Sequence, residues 1–355
     1  MQRLTIRDVA VRAGVSHQTV SRVVNGDDRV SPATRERVLE AIRELDYVPN
    51  AIARSLSSNR THTLGVVTAD VSDYAFGQMV AGAEAEARRR GFYLVVGSVA
   101  DTTDATDELA YLRLLLERRV EGLILAWPTL GPGAGSALAA TAARVPLVLV
   151  AATTDLPGIQ TVDIDNRRGG REAVAHLTEQ GHRGVATITG PLDWGAAQAR
   201  LDGYRDALGE AGISESPSLV QTSPDWGPES GRVAAARLLD GRVPFSALFA
   251  QSDLLAVGAI AEFRSRGLRV PEDVSVVGFD DIPVASFLEP PLTTMRQPIR
   301  ELGELAVRLI IEAIGRRGSE PDERNRRHLL PARLADRGSV GPPVARRMRF
   351  QPAVP

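Results

Sequence analysis

From Leu64 to Phe279 the chain repeats one pattern: a short, almost wholly apolar segment followed by a longer stretch of helical periodicity. LGVVTA precedes 75–90 and FYLVVGSV precedes 104–118, then come GLILAW and VPLVLVAA. A second round runs GVATITG before 196–211, LVQT before 228–240, ALFAQS before 254–266, and ends with VSVVGF. Strands that are apolar on both faces belong in parallel sheets covered by helices on each side. Two rounds therefore predict a core of two doubly wound parallel-sheet lobes. TTMRQP at 293–298 is expected to carry the chain back, with helix 298–315 and a strand HLLPARLA still to place. The lobes are expected at about 61–161 plus 293–320, and 162–292 plus 321–338, one core over 61–338. The Pro- and Arg-rich remainder, 339–355, is expected to be a disordered tail, without the leucine heptads of a coiled coil.

In open parallel sheets a ligand sits beyond the carboxyl ends of the strands, and two facing lobes make a cleft there. Polar and aromatic residues at those ends are the binding candidates: Asp73, Tyr74, Phe76, Trp127, Trp194, Arg200, Trp226, Ser252, Asp253 and Asp280. They include all three tryptophans of the chain. For each singly, ordinary packing is an equal explanation. Together they suit a carbohydrate, because indole faces stack on sugar C–H faces while carboxylates and arginine bind hydroxyls. Catalysis lacks support: Asp280-Asp281 is an acidic pair with no nucleophile beside it. GPGAG and RRGG lack phosphate-loop spacing. With no cysteine and five scattered histidines, no metal site or other cofactor is expected.

The first sixty residues have a different character. They hold ten arginines against seven carboxylates, net +3, whereas the whole chain is −2. Lysine is absent throughout. Thr5 opens a helix with Ile6, Val9, Ala10 and Ala13 on one side, Gly14 breaks it, and Ser16 caps a second. Ser31-Pro32 starts a third, striped by Val38, Ile42 and Leu45. Three short helices with a tight turn between the first two make an all-α helix-turn-helix headpiece over 1–49, whose second helix enters the major groove of DNA. His17, Gln18, Ser21 and Arg22 at its front can reach base edges, with Thr19 and Ser21 also suited to phosphates. A helical bundle without a ligand is the bland alternative.

TIRDVAVRAGVSHQTVSRVVNG and VSPATRERVLEAIRELDYVPNAIARSL resemble the headpiece of the LacI family of bacterial transcription regulators. GPLDWGAAQARLDGY, QSDLLAVGAI and RGLRVPEDVSVVGFDDIP resemble its periplasmic-binding-protein-like core, so the likeness spans roughly 3–336. The resemblance implies that His17 and Gln18 choose the operator with Arg22 as a third base reader, and that Thr5, Ser16 and Asn25 belong to the DNA surface. It also implies a hinge helix within 50–60, too short to be stable alone. There Asn50, Ala53 and Arg54 would line the minor groove and Leu56 would wedge between base pairs. In the core it carries over Arg200 and Asp280 for hydroxyls and Trp226 for stacking, with Asp253 at the pocket rim. Three polar contacts of the family pattern are changed, to Ser252, Ala196 and Val150, so a galactoside or another hexose-containing sugar remains open.

The implied function is a homodimeric repressor on a near-palindromic operator, released by a small sugar. A corepressor that tightens binding, or a sugar-binding protein without a regulatory role, are the alternatives. No apolar run approaches the ~20 residues that span a bilayer. The opening MQRLTIRDVAVRAG lacks a secretory core, so a cytoplasmic protein is expected.

Overall fold

The computed structural model describes residues 4–24, 27–48, 60–99, 105–127, 134–151, 156, 158–241, 243–316 and 327–343. The chain divides into two compact units, Met1–His62 and Thr63–Pro355.

The first unit holds helices α1 (Ile6–Ala13), α2 (His17–Val24) and α3 (Pro32–Glu44). Asp8 folds its carboxylate back onto the Thr5 N–H at 2.8 Å, fixing the start of α1. Gly14 ends that helix at φ 63°, a backbone that suits glycine. Ser16 accepts from the Thr19 N–H at 3.1 Å and starts α2. Val9, Val20, Val23, Val38 and Ala41 form the small buried centre.

The second unit contains two six-stranded sheets. The first joins β1 (Thr63–Thr68), β2 (Tyr93–Ser98), β3 (Gly122–Ala126), β4 (Leu147–Val150), β5 (Gln160–Ile164) and β11 (Arg327–Leu330) in the order β11-β5-β4-β3-β1-β2, all parallel. The second joins β6 (Val185–Thr189), β7 (Val220–Thr222), β8 (Ala247–Ala250), β9 (Ser275–Asp280), β10 (Thr293–Arg296) and β12 (Arg333–Ala335) as β12-β10-β9-β8-β6-β7. Only β12 runs antiparallel, against β10. Helices α4 (Tyr74–Arg89), α5 (Ala105–Glu117), α6 (Ala134–Ala142) and α11 (Ile299–Gly315) belong to the first lobe. α7 (Asn166–Glu179), α8 (Gly195–Glu210), α9 (Pro228–Asp240) and α10 (Asp253–Ser265) belong to the second.

Among the described residues the chain crosses between lobes three times, after β5, after β10 and after β11. This moves the expected lobe limits. β5 completes the first sheet through Ile164, β10 lies wholly in the second, and β11 at 327–330 returns to the first. HLLPARLA is therefore two strands rather than one, split at Pro331, which has no N–H for a ladder. The tail also begins later than expected. Ser339 is fully buried, its hydroxyl donating to Val276 O at 2.6 Å and accepting from Thr293 N–H at 2.8 Å. Buried His182 lies 2.9 Å from Gly341 O through Nε2. These bonds hold 339–343 against the second lobe, and 344–355 lie outside the described residues.

Candidate functional site

In the first unit, Val20 and Val23 turn inward, leaving Ser16, His17, Gln18 and Arg22 exposed along one side of α2. Thr19 and Ser21 are half-buried at the edge of that row, and Thr5 is exposed at the start of α1. The structure thus gathers the hydrogen-bonding groups of α2 on its free face. Asn25, Asn50, Ala53, Arg54 and Leu56 lie outside the described residues.

The second unit has a cleft between the carboxyl ends of its two sheets, enclosing a cavity of about 130 Å³. Asp73, Tyr74, Phe76, Trp194, Arg200, Trp226, Ser252 and Asp280 all line it. So do Val150 and Ala196.

One wall is aromatic. Asp73 caps α4, accepting from the N–H groups of Ala75 and Phe76 at 2.8 and 3.2 Å, which sets the Phe76 ring at the cleft. Phe76 of the first lobe and Trp194 of the second have centroids 6.4 Å apart, and Trp194 meets Trp226 edge-on at 5.6 Å. Trp226 lies flat over Gly190, where an added Cβ would come within 2.3 Å of the indole. Its indole N–H is buried without an acceptor among the described residues.

The other wall is polar. Arg200 is buried, donates through Nε to Asn166 Oδ1 at 2.8 Å, and donates through NH1 to the Gln251 carbonyl. Its guanidinium lies 3.7 Å from the Phe279 ring centroid and 5.3 Å from that of Trp226. Asp280 stands 3.9 Å from it and accepts from the Gln297 amide. Burial raises the Asp280 carboxyl above its ordinary range, and the carboxylates of Asp253 and Asp73 add to the rise against the pull of Arg200. Burial also lifts Asp163, another lining residue, to about 6, and raises Asp73. Asp280, Asp163 and Asp253, each with raised affinity for protons, thus act on one arginine, which donates to Asn166 and Gln251.

Asn166, Asp163 and Gln297 are absent from the sequence candidates. Each follows or closes a strand that went unrecognised, β5 or β10, so the strand-end rule had nothing to act on.

A family described as bacterial regulatory proteins, lacI family, matches residues 5–50, and a periplasmic binding protein-like domain matches 174–340. The HTH-type transcriptional regulator DegA of Bacillus subtilis is 36% identical over 342 residues, covering 96% of this chain and 99% of the relative. The chain belongs to the LacI family. The HTH-type transcriptional regulator CelR of Thermobifida fusca is 40% identical over 327 residues, covering 90% and 94% of the two chains. Among solved structures, the Lac repressor dimer bound to operator and the anti-inducer ONPF superimposes with TM-score 0.85 at 32% identity, covering 96% of this chain and 100% of that one. A CelR–cellobiose complex gives TM-score 0.70 at 37% identity, covering 95% and 100%. This LacI-family member is a transcriptional regulator by those relatives.

Two expected pocket residues lie elsewhere. Trp127 is 1% exposed and packs in the core with Leu112, Leu115, Leu123 and Leu125. Side chains alternate along β3, so Trp127 stays in phase with Leu123 and Leu125 under the helices rather than facing the cleft. Asp253 is fully buried behind the pocket instead of at its rim. It accepts from Ile282 N–H at 2.8 Å and from the Thr294 hydroxyl, tying the start of α10 to the segments after β9 and in β10.

Replacing Asp253 with Ala leaves both donors buried and unpaired, and is expected to destabilise the core by about 3 kcal/mol. Asp253→Asn keeps an acceptor for Ile282 and a donor for Thr294, so it should retain most of the stability. Burial raises the Asp253 carboxyl, with Asp281 adding to the rise. A raised folded-state value means the folded chain holds a proton that the unfolded chain releases above 3.8. Wild-type stability from this group therefore falls as pH climbs from 3.8 toward the raised value, while the Asn variant lacks that loss. Urea unfolding at pH 5 and pH 8 should show the variant gaining on wild type with pH. A constant difference would place the proton elsewhere.

Proposed function

We propose that this LacI-family chain is an operator-binding repressor whose grip on DNA is released when an uncharged sugar enters the cleft. The observation that carries the reading is the cleft wall: Phe76, Trp194 and Trp226 set against Asp73, Asp163 and Asp280. Aromatic faces accept the C–H face of a pyranose, and carboxyl groups accept from its hydroxyls. The unpartnered Trp226 indole N–H suits a ring or hydroxyl oxygen. A phosphate ester fits poorly, because the lining arginine already donates to Asn166 and Gln251 and the acids at the wall, Asp73, Asp163 and Asp280, offer an anion no compensating charge.

Residues from both lobes line the cavity, so a bound sugar favours one lobe arrangement over others. A coupling of about 1–3 kcal/mol between sugar and DNA would change operator affinity roughly 5- to 150-fold. The reading includes a homodimer on a near-palindromic operator. Apolar side chains left outside support it: Tyr93, Val95 and Val96 on edge strand β2, and Val284 and Phe287 in the second lobe. The exposed row His17, Gln18 and Arg22 supports base reading by α2. By family resemblance, Leu56 is the minor-groove wedge that withdraws on release.

The DNA side is tested with duplexes selected by the protein from a random pool. Gln18→Ala and Arg22→Ala should each cost about 1–3 kcal/mol and relax preference at one operator position. Equal weakening on every duplex would reduce them to phosphate contacts. The sugar side is tested by thermal shift with a panel of mono- and disaccharides beside their phosphate esters. Stabilisation by a free sugar supports the reading, and stabilisation by esters alone overturns it.

A further inference from the structure

Away from the cleft, a second and roomier cavity of about 600 Å³ opens beside two of the inter-lobe crossings. It is bounded by the start of α11 and by the link from β11 to β12. Three arginines line it, Arg296, Arg333 and Arg337. Arg296 and Arg333 face each other directly across the antiparallel pair β10–β12. Their side chains therefore leave the same face, with Cβ atoms roughly 5 Å apart, and like charges so placed are destabilising.

The carboxylates nearby engage two of the three arginines and leave Arg333 aside. Asp281 holds two of the three, accepting from Arg296 Nε at 2.5 Å and from Arg337 NH2 at 2.6 Å. Arg333 has no ion pair among the described residues. Glu301 in the first turn of α11 is exposed, and Asp336 is 63% exposed with its nearest basic group His176 at 3.5 Å. Pro298, the N-cap of α11, also lines the cavity and gives no side-chain acceptor to the helix's first N–H groups.

We infer that this crevice is a second ligand site, which takes a small oxyanion, the phosphate or carboxylate group of a metabolite, between Arg333 and Arg296. A planar guanidinium offers paired donors that match such an oxyanion, and a bridging anion converts the like-charged pair into a stabilised one. The chemistry is opposite to that of the cleft, where carboxylates predominate. A chain with both sites can register a neutral and an anionic compound separately.

The test is isothermal titration of the full chain with inorganic phosphate, at ionic strength held constant with sodium chloride. The expected result is one saturable site per chain, weakened by about tenfold or more in Arg333→Gln and less in Arg333→Lys. Arg333→Gln should keep the wild-type thermal stabilisation by a free sugar, which separates this site from the sugar cleft. Glycerol phosphate and citrate titrated in parallel distinguish a phosphate-bearing from a carboxylate-bearing occupant. Arg333 is exposed, so its replacement should leave the far-ultraviolet circular dichroism unchanged. Absence of saturable binding for all three anions, or wild-type affinity in Arg333→Gln, overturns the inference.

Discussion

Asp280→Ala is expected to abolish the sugar response while operator binding without sugar stays within about twofold of wild type. Asp280 closes β9 at the cleft and is fixed by Gln297 and Arg200, so its carboxyl is held where a hydroxyl would arrive. Removing one partner of a buried hydrogen bond costs about 1–3 kcal/mol, hence roughly a 5- to 150-fold loss of sugar affinity. The backbone here is unusual as well. Asp280 and Asp281 have φ of 124° and 58°, a left-handed region seldom occupied by side-chain-bearing residues. Such outliers gather at ligand sites because the surroundings enforce them. The measurement is a pair of anisotropy titrations on labelled operator, without sugar and with sugar at the concentration just sufficient to release the wild type. A variant that still releases DNA as wild type does would remove Asp280 from the site.

Gly258→Ala is expected to destabilise the core by about 3 kcal/mol or more, among the largest effects of any single methyl group here. α9 and α10 cross at Gly231 and Gly258, and each glycine lies against the backbone of the other helix. A Cβ at Gly258 would sit 1.8 Å from Pro228 O and 2.7 Å from Arg232 N. Main-chain atoms cannot step aside as a flexible side chain can, so the helices must separate. Reciprocal glycines recur between α4 and α11, at Gly82 and Gly303, and between α7 and α8, at Gly170 and Gly203. Gly209, also helical, has nothing within 4 Å of an added Cβ. There the same change should stabilise by about 0.5–1 kcal/mol, through helix propensity and a less disordered unfolded chain. Opposite shifts in melting temperature for the two variants would support the packing argument, and shifts of one sign would refute it.

The parts of the fold legible in the sequence were those with a strong period. The apolar segments LGVVT and SVVGF became buried strands, and Ser16 and Ser31 marked the starts of α2 and α3. β5 went unread because QTVDI mixes polar residues into a buried strand, its Thr161 and Asp163 both buried. β12 is three residues long, too short for any period. In the cleft, the strand-end rule named eight lining residues but could not tell which way each points. Trp127 shows the cost of that: parity along β3 put it with the core leucines. Asp253 shows another, since its carboxylate serves backbone and threonine donors contributed by residues 282 and 294, a pairing that no local pattern reveals.

The most direct measurement is the affinity of the full-length protein for a duplex it selects from random DNA, read with and without each stabilising sugar at one fixed salt concentration. The expected result is tight, sequence-dependent binding that one uncharged sugar weakens at least about fivefold, with no such change in Asp280→Ala. Binding indifferent to duplex sequence, or to every sugar that occupies the cleft, would contradict it.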